Sequence, residues 1–135
     1  MRNGLICLAA TLFLSGFSGL ALAEKYTVAV LQALDKVTAR VSTVTVPVGR
    51  VVKFGTLEII ARVCDKRPPE EPPESSAFLD IWDARPGKPV DSIFRGWMFA
   101  SSPALSAMEH AVYDVWVLDC KTLESDSAIP STEPE

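Results

Sequence analysis

Two short runs of alternating apolar residues, each ending in a cysteine, constrain the fold of this chain more than any other feature. Thr56–Cys64 (TLEIIARVC) and Tyr113–Cys120 (YDVWVLDC) both carry apolar side chains at every second position over most of their length. Such alternation predicts half-buried β-strands, because successive side chains of a strand point to opposite faces. If the two cysteines are joined, the ends of these two strands must lie side by side.

Residues 1–23 are predicted to be a signal peptide. A short basic region, Met1–Asn3, precedes the apolar run Leu5–Leu20, and Ala21-Leu22-Ala23 has the small-residue pattern of a cleavage site. Retention as a membrane span and lipid attachment through Cys7 are the alternatives. Cleavage after Ala23 predicts a periplasmic or secreted protein.

Cleavage would leave 112 of the 135 residues, which suits one domain with one core. We expect a single β-rich domain over 24–120 and a disordered acidic tail over 121–135. The whole chain has a formal net charge of −4, and no segment concentrates Lys and Arg. The charge therefore argues against nucleic acid as a partner, and no segment of the mature chain has the length of a transmembrane span.

Of the three cysteines, Cys64 and Cys120 remain after cleavage. An even number of cysteines in an exported chain predicts a disulfide. A cysteine nucleophile beside His110 is one alternative. A Cys/Cys/His metal site is another, but it lacks an obvious fourth ligand and any C-x-x-C spacing. No cofactor is predicted.

Several other runs have the composition of strands and are separated by Gly and Pro turns. The full set is Tyr26–Leu34, Val37–Val46, Arg50–Phe54, Thr56–Cys64, Ala77–Asp83, Ser92–Phe99 and Tyr113–Cys120. A change of parity near Ser42-Thr43 predicts a bulge or bend in the second run. We therefore expect a mostly β fold, an antiparallel sandwich or partly closed barrel of about six or seven strands, with α+β as the alternative.

Two segments interrupt the strands. Lys66–Ser76 has four prolines and three glutamates, which predicts an extended crossover between the sheets, or alternatively a ligand for an aromatic groove. Ser101-Ser102-Pro103 is typical of a helix start and predicts one short helix over Pro103–Glu109.

The richest chemistry lies in the second half of the chain. Trp82, Trp97 and Trp116 are expected to pack in the core, with Trp97 the most exposed. A binding site is predicted on Phe99–Tyr113 and the strand before it, formed by Arg95, Trp97, Phe99, Met108, His110 and Tyr113. Alternatively, Leu105 and Met108 only plug one end of the sandwich.

Four stretches resemble a domain of unknown function found in small exported alphaproteobacterial proteins. They are LDKVTAR (Leu34–Arg40), the Cys64 segment, AFLDIWD (Ala77–Asp83) and GWMFASSPALSAMEHAVYDVWVLDC (Gly96–Cys120). The resemblance implies export and the extent of the domain, but no activity.

Three classes of function are compatible with these residues. We expect first a non-enzymatic module of the periplasmic envelope that binds a protein partner. A module that binds glycan, such as peptidoglycan, comes second, because aromatic side chains also form sugar platforms. A hydrolase using His110 comes third, since none of the common catalytic motifs accompanies the histidine.

Overall fold

All seven runs predicted as strands contain a strand in the computed structural model, which describes residues 26–123. The strands are β1 (Val28–Asp35), β2 (Arg40–Pro47), β3 (Val51–Phe54), β4 (Leu57–Lys66), β5 (Ser75–Asp83), β6 (Asp91–Phe99) and β7 (Tyr113–Lys121). They pair in two antiparallel sheets with the orders β2-β1-β7 and β3-β4-β5-β6. The mostly β prediction is confirmed in its sandwich form, because the sheets do not close into a barrel. The α+β alternative is wrong.

The core lies between the sheets and is built from the inward positions of the alternating runs. Its side chains are aliphatic, apart from two methionines and two cysteines, and the largest fully buried ones are Leu31, Leu57, Ile59, Leu79 and Ile81. None of the three tryptophans belongs to this core, contrary to the expectation from sequence. Trp82 and Trp116 are half-buried and Trp97 is 39% exposed.

The proline-rich stretch joins neighbouring strands of one sheet, so the predicted crossover between sheets is wrong. Lys66 at the end of β4 pairs with Ser75 at the start of β5. The backbone N–H of Arg67 donates to the carbonyl of Glu74 at 3.0 Å and closes the loop. The loop is therefore a long hairpin connection that prolines keep free of ladder pairing.

The predicted bulge in β2 is also wrong, because β1 and β2 pair without a register shift from Val28↔Pro47 to Asp35↔Arg40. Bulges occur elsewhere. One bulge leaves Arg62 of β4 without a pairing partner on β5. Another leaves Ile93 of β6 without a pairing partner on β5. A bulge redirects the side chain of the extra residue.

The predicted helix is reduced to one 3-10 turn, Pro103–Ser106. Ser102 makes no side-chain capping hydrogen bond, and the backbone is extended again at Ala107. So short a helix is not stable by itself. The extended backbone lets Met108, which is 3% exposed, enter the core, whereas Leu105 is 76% exposed.

The predicted disulfide between Cys64 and Cys120 is present, with the two Cα atoms 5.7 Å apart. It joins the far ends of β4 and β7 across the two sheets. The two ends of the described chain also meet there, because the Thr27 N–H donates to Lys121 O at 3.0 Å and the Leu123 N–H to Thr27 Oγ1 at 3.2 Å.

The predicted signal peptide, 1–23, and most of the predicted tail lie outside the described residues. Lys121, which the sequence assigned to the tail, is the last residue of β7. Between residues 26 and 123 there is no helix long and apolar enough to cross a membrane.

Candidate functional site

The end of the sandwich opposite the disulfide contains a cluster around His110. Tyr113 begins β7 here, and its ring stacks on the His110 ring with centroids 5.3 Å apart. The tyrosine also lies over Gly55, which has φ +57° and links β3 to β4. A Cβ at Gly55 would overlap the phenol of Tyr113, so the glycine makes room for the ring.

Both ring nitrogens of His110 have hydrogen-bond partners. The backbone N–H groups of Val112 and Tyr113 donate to Nδ1 at 3.1 and 3.0 Å. Because Nδ1 accepts, the ring proton of the neutral imidazole is on Nε2, which donates to Asp83 Oδ2 at 3.1 Å. The histidine therefore fastens the loop before β7 to the end of β5.

Asp83 is the buried centre of this cluster, with its side chain 2% exposed. Arg85 Nε lies 2.9 Å from Oδ2, the same oxygen that His110 contacts. Burial raises the pKa of the Asp83 carboxyl, but Thr56, His110 and Arg85 stabilise the ionised form and together hold the pKa below the ordinary 3.8. The carboxyl is thus kept ionised at neutral pH.

The lowered pKa predicts acid sensitivity. A carboxyl whose pKa is lower in the folded state than in the unfolded state stabilises the fold. Its full contribution is present at pH values above the pKa of the unfolded state, here 3.8. The contribution is lost as the pH falls through the lower pKa of the folded state. We expect the free energy of unfolding to decrease in that acid range, and Asp83→Asn to make the decrease shallower. Urea unfolding at a series of pH values measures this decrease for the wild type and for Asp83→Asn. Asp65→Asn, at an exposed position near the disulfide, is the control, and equal slopes for Asp83→Asn and the wild type would contradict the prediction.

A second group of candidate functional side chains lies on the outer face of the four-stranded sheet. We call this surface the aromatic face; it consists of Arg62, Phe78, Asp80, Trp82, Arg95, Trp97 and Phe99. The register places Phe78 opposite Trp97 and Asp80 opposite Arg95. The Phe78 and Trp97 rings are in contact edge to face, with centroids 5.6 Å apart and planes crossing at 83°.

Asp80 lies at the centre of the aromatic face and is buried beneath its neighbours. Arg62 Nε lies 2.9 Å from Asp80 Oδ2, and Arg95 Nε lies 3.5 Å from Oδ1. The side chains of the two arginines remain 49% and 70% exposed. One buried carboxylate therefore orients two guanidinium groups toward solvent.

The six residues predicted as one binding site occupy three places. His110 and Tyr113 are together at the end of the sandwich, whereas Arg95, Trp97 and Phe99 belong to the aromatic face. Met108 is in the core. Sequence reasoning missed Asp80 and Asp83, although Asp83 occupies an inward position of β5 that continues the apolar row of Leu79 and Ile81.

A cavity of about 650 Å³ lies at the disulfide end, between the proline-rich loop and β7. Two of its carboxylates are already paired, because Asp119 accepts from Lys66 at 2.8 Å and from Ser75 at 3.2 Å, and Glu74 accepts from Ser101. Burial raises the pKa of Asp119, but Lys66, the Cys120 N–H and Ser75 outweigh it and lower the pKa. These bonds hold the loop against β7.

No group of three or more His, Cys, Asp or Glu side chains within residues 26–123 is placed to hold a metal ion. The Cys/Cys/His site, considered from sequence as an alternative to the disulfide, is contradicted by geometry, since Cys64 and Cys120 are joined to each other at one end while His110 lies at the other.

Comparison with known families shows which family this chain belongs to. Residues 29–120 match the model of DUF2155, described as "Uncharacterized protein conserved in bacteria". The chain belongs to the DUF2155 family. The DUF2155 match includes both cysteines, the aromatic face and the His110 cluster, and the resemblance seen in the sequence is confirmed.

One relative of this DUF2155 chain is "Uncharacterized protein RP359" of Rickettsia prowazekii (strain Madrid E). The two are 28% identical over 97 residues, which are 72% of this chain and 63% of the relative. The chain thus covers less than two thirds of that relative's length. No solved structure matches the chain.

Proposed function

We propose that this DUF2155 protein is a non-enzymatic module of the periplasmic envelope that binds a protein partner through its aromatic face. The observation that carries the proposal is the exposed pair of Trp97 and Arg95 on a sheet surface whose other aromatic side chains are only half-buried. Tryptophan and arginine are the residues most enriched among the strongest contributors to protein–protein binding.

The charge of the aromatic face indicates which side chains a partner surface should carry. Arg62 and Arg95 share the single carboxylate of Asp80, which leaves one positive charge uncompensated at the centre of the aromatic face. The chain as a whole is acidic, with a formal net charge of −4. A partner segment with an acidic side chain between apolar ones would complement this surface. Arg95 is the group that receives it, because its bond to Asp80 is the longer one.

The ring geometry favours a protein over a glycan. A sugar ring stacks on flat, roughly coplanar aromatic platforms, whereas the planes of Phe78 and Trp97 cross at 83°. The crossed pair therefore does not form one flat platform on which a sugar ring could stack. The glycan-binding alternative gains no support from this surface.

The hydrolase alternative is weakened by the bonds of His110. A general base needs a nitrogen lone pair facing the substrate. Here Nδ1 accepts two backbone N–H groups, and Nε2 carries the proton that is donated to Asp83. The imidazole would have to break structural bonds before it could accept a proton from a substrate.

Two observations support the periplasm as the compartment. The sequence of residues 1–23 has the features of a signal peptide. Cys64 and Cys120 form a disulfide, which persists in oxidising compartments and is rare in the cytosol.

We expect a photo-crosslinking residue at Val63 to capture a protein partner in intact cells. This side chain is 41% exposed and lies opposite Phe78 beside the aromatic face, and its replacement leaves Trp97 and Arg95 in place. The matched control is the same residue at Thr43, on the outer face of the other sheet. Arg95→Glu should abolish the crosslink, and Trp97→Ala should weaken binding to the partner by about tenfold or more.

Thermal melts of both variants check that the fold is retained. Equal capture from Thr43, or capture that is insensitive to Arg95→Glu, would show that the aromatic face is not the binding surface. Co-sedimentation with purified peptidoglycan that depends on Trp97 would instead support the glycan alternative.

A further inference from the structure

A separate cavity of about 380 Å³ opens beside the His110 cluster, at the end of the sandwich opposite the disulfide. Its charged or polar lining includes Thr56, Asp83, Arg85, Asp91, Glu109 and His110. The volume falls in the range of sites that bind small groups. Nothing in the proposed function uses this cavity.

The wall of the cavity contains a buried oxygen whose hydrogen-bonding capacity is unused. Asp83 Oδ2 contacts both Arg85 and His110, whereas Oδ1 is buried and has no hydrogen-bond partner among the described residues. The Thr56 hydroxyl stabilises the ionised carboxyl from nearby, but it does not reach Oδ1 with the geometry of a hydrogen bond. An ionised oxygen in this position favours an additional donor, because a buried polar atom without a partner is costly.

The charge of the lining selects the kind of donor. The cavity has three carboxylates, those of Asp83, Asp91 and Glu109, and one guanidinium, that of Arg85. His110 adds no positive charge in the neutral form that its hydrogen bonds indicate. The excess of negative charge attracts a cation, and Ile93 and Tyr113 provide an apolar wall for an attached carbon chain.

We propose that this cavity binds a cationic nitrogen group, a primary ammonium or a guanidinium, beside Asp83. A lysine or arginine side chain of another polypeptide carries such a group, and so does a free alkyl amine. Solvent does not reach Asp83 Oδ1, so a side chain beside Asp83 must move before the ligand can bond to this oxygen. We assign that movement to Arg85, which contacts only the other oxygen, Oδ2. That side chain is 47% exposed, and its other contact, with Asp91, is a loose 3.9 Å.

The test is a titration of the isotope-labelled protein followed by NMR. The probes are N-acetyl-lysine methylamide, N-acetyl-arginine methylamide and cadaverine, with N-acetyl-norleucine methylamide as the uncharged isostere. We expect saturable shifts with dissociation constants in the millimolar range. The shifts should centre on the amides of Val112 and Tyr113, which bond to His110. The uncharged isostere should give none.

Variants test the assignment to Asp83 and the cavity rim. We expect Asp83→Asn to weaken cation binding by about tenfold or more, as expected when a buried partner of a charge is removed. Asp91→Asn, at an exposed position of the rim, should weaken it by about two- to fivefold. This second variant keeps the test decisive if Asp83→Asn does not fold. Asp65→Asn, at the disulfide end, should leave the affinity unchanged.

Tighter binding of the blocked amino acids would indicate a polypeptide side chain as the ligand, and tighter binding of cadaverine a free amine. Either result supports the cationic site. Absence of saturable shifts, equal shifts with the norleucine isostere, or an affinity unaffected by Asp91→Asn would overturn it.

Discussion

Replacing both Cys64 and Cys120 by alanine should lower the free energy of unfolding by about 2–5 kcal/mol. The bridge closes a loop with a sequence separation of 56 residues, which restricts the unfolded chain by about 4 kcal/mol in the loop-entropy model. It also ties together the two sheets of the sandwich. For a small domain, this loss is a large part of the total stability.

Urea unfolding of the oxidised wild type and the double variant measures the effect. The wild type in excess reductant is the matched control and should unfold near the midpoint of the variant. Equal midpoints for the oxidised wild type and the double variant would show that the bridge contributes nothing to stability.

Gly55→Ala should destabilise the protein by about 2–4 kcal/mol, through two additive causes. Gly55 has φ +57°, a conformation that costs about 1–2 kcal/mol for a residue with a Cβ. The new methyl group would also overlap the Tyr113 ring, which packs edge to face against Phe54. The tyrosine must then move away from His110, so the His110 cluster should be disturbed as well.

Gly87→Ala provides a control that separates the two causes. Gly87 also has a positive φ, +73°, but a Cβ there would meet nothing within 4 Å. Its substitution should therefore cost only the backbone part. Thermal and urea unfolding compare the variants, and an equal loss for Gly55→Ala and Gly87→Ala would contradict the proposed packing of Tyr113 over Gly55.

The strands were predictable because alternation is a local signal. Ala77–Asp83 and Ser92–Phe99 were expected as strands, and they form most of β5 and β6. The parity change before Val44 was misread as a bulge. It arises because Val37 and Ala39 belong to the hairpin turn, where Ala39 has φ +55°, and because Val41 lies on the outer face of β2, where it is 51% exposed. A pattern that crosses a turn carries no information about register.

The candidate sites were less predictable, because their geometry depends on pairings between distant parts of the chain. His110 was singled out from sequence, but its partner Asp83 is 27 residues away and is brought near it only when β7 packs across from β5. The tryptophans were expected inside because they are large and apolar. Each tryptophan instead occupies an outward position of its strand, and the buried inward positions beside the three are filled by Ile81, Met98 and Val115, among others.

The contact between Thr27 and Leu123 beside the disulfide makes the two ends of the sandwich different. Residues 27 and 123, next to the two ends of the described chain, lie side by side, and the His110 cavity is at the opposite end of the sandwich. A label or fusion partner joined at residue 27 or 123 therefore leaves that cavity unobstructed. The same arrangement would let the domain be inserted into a loop of a host protein with little separation between the two junctions.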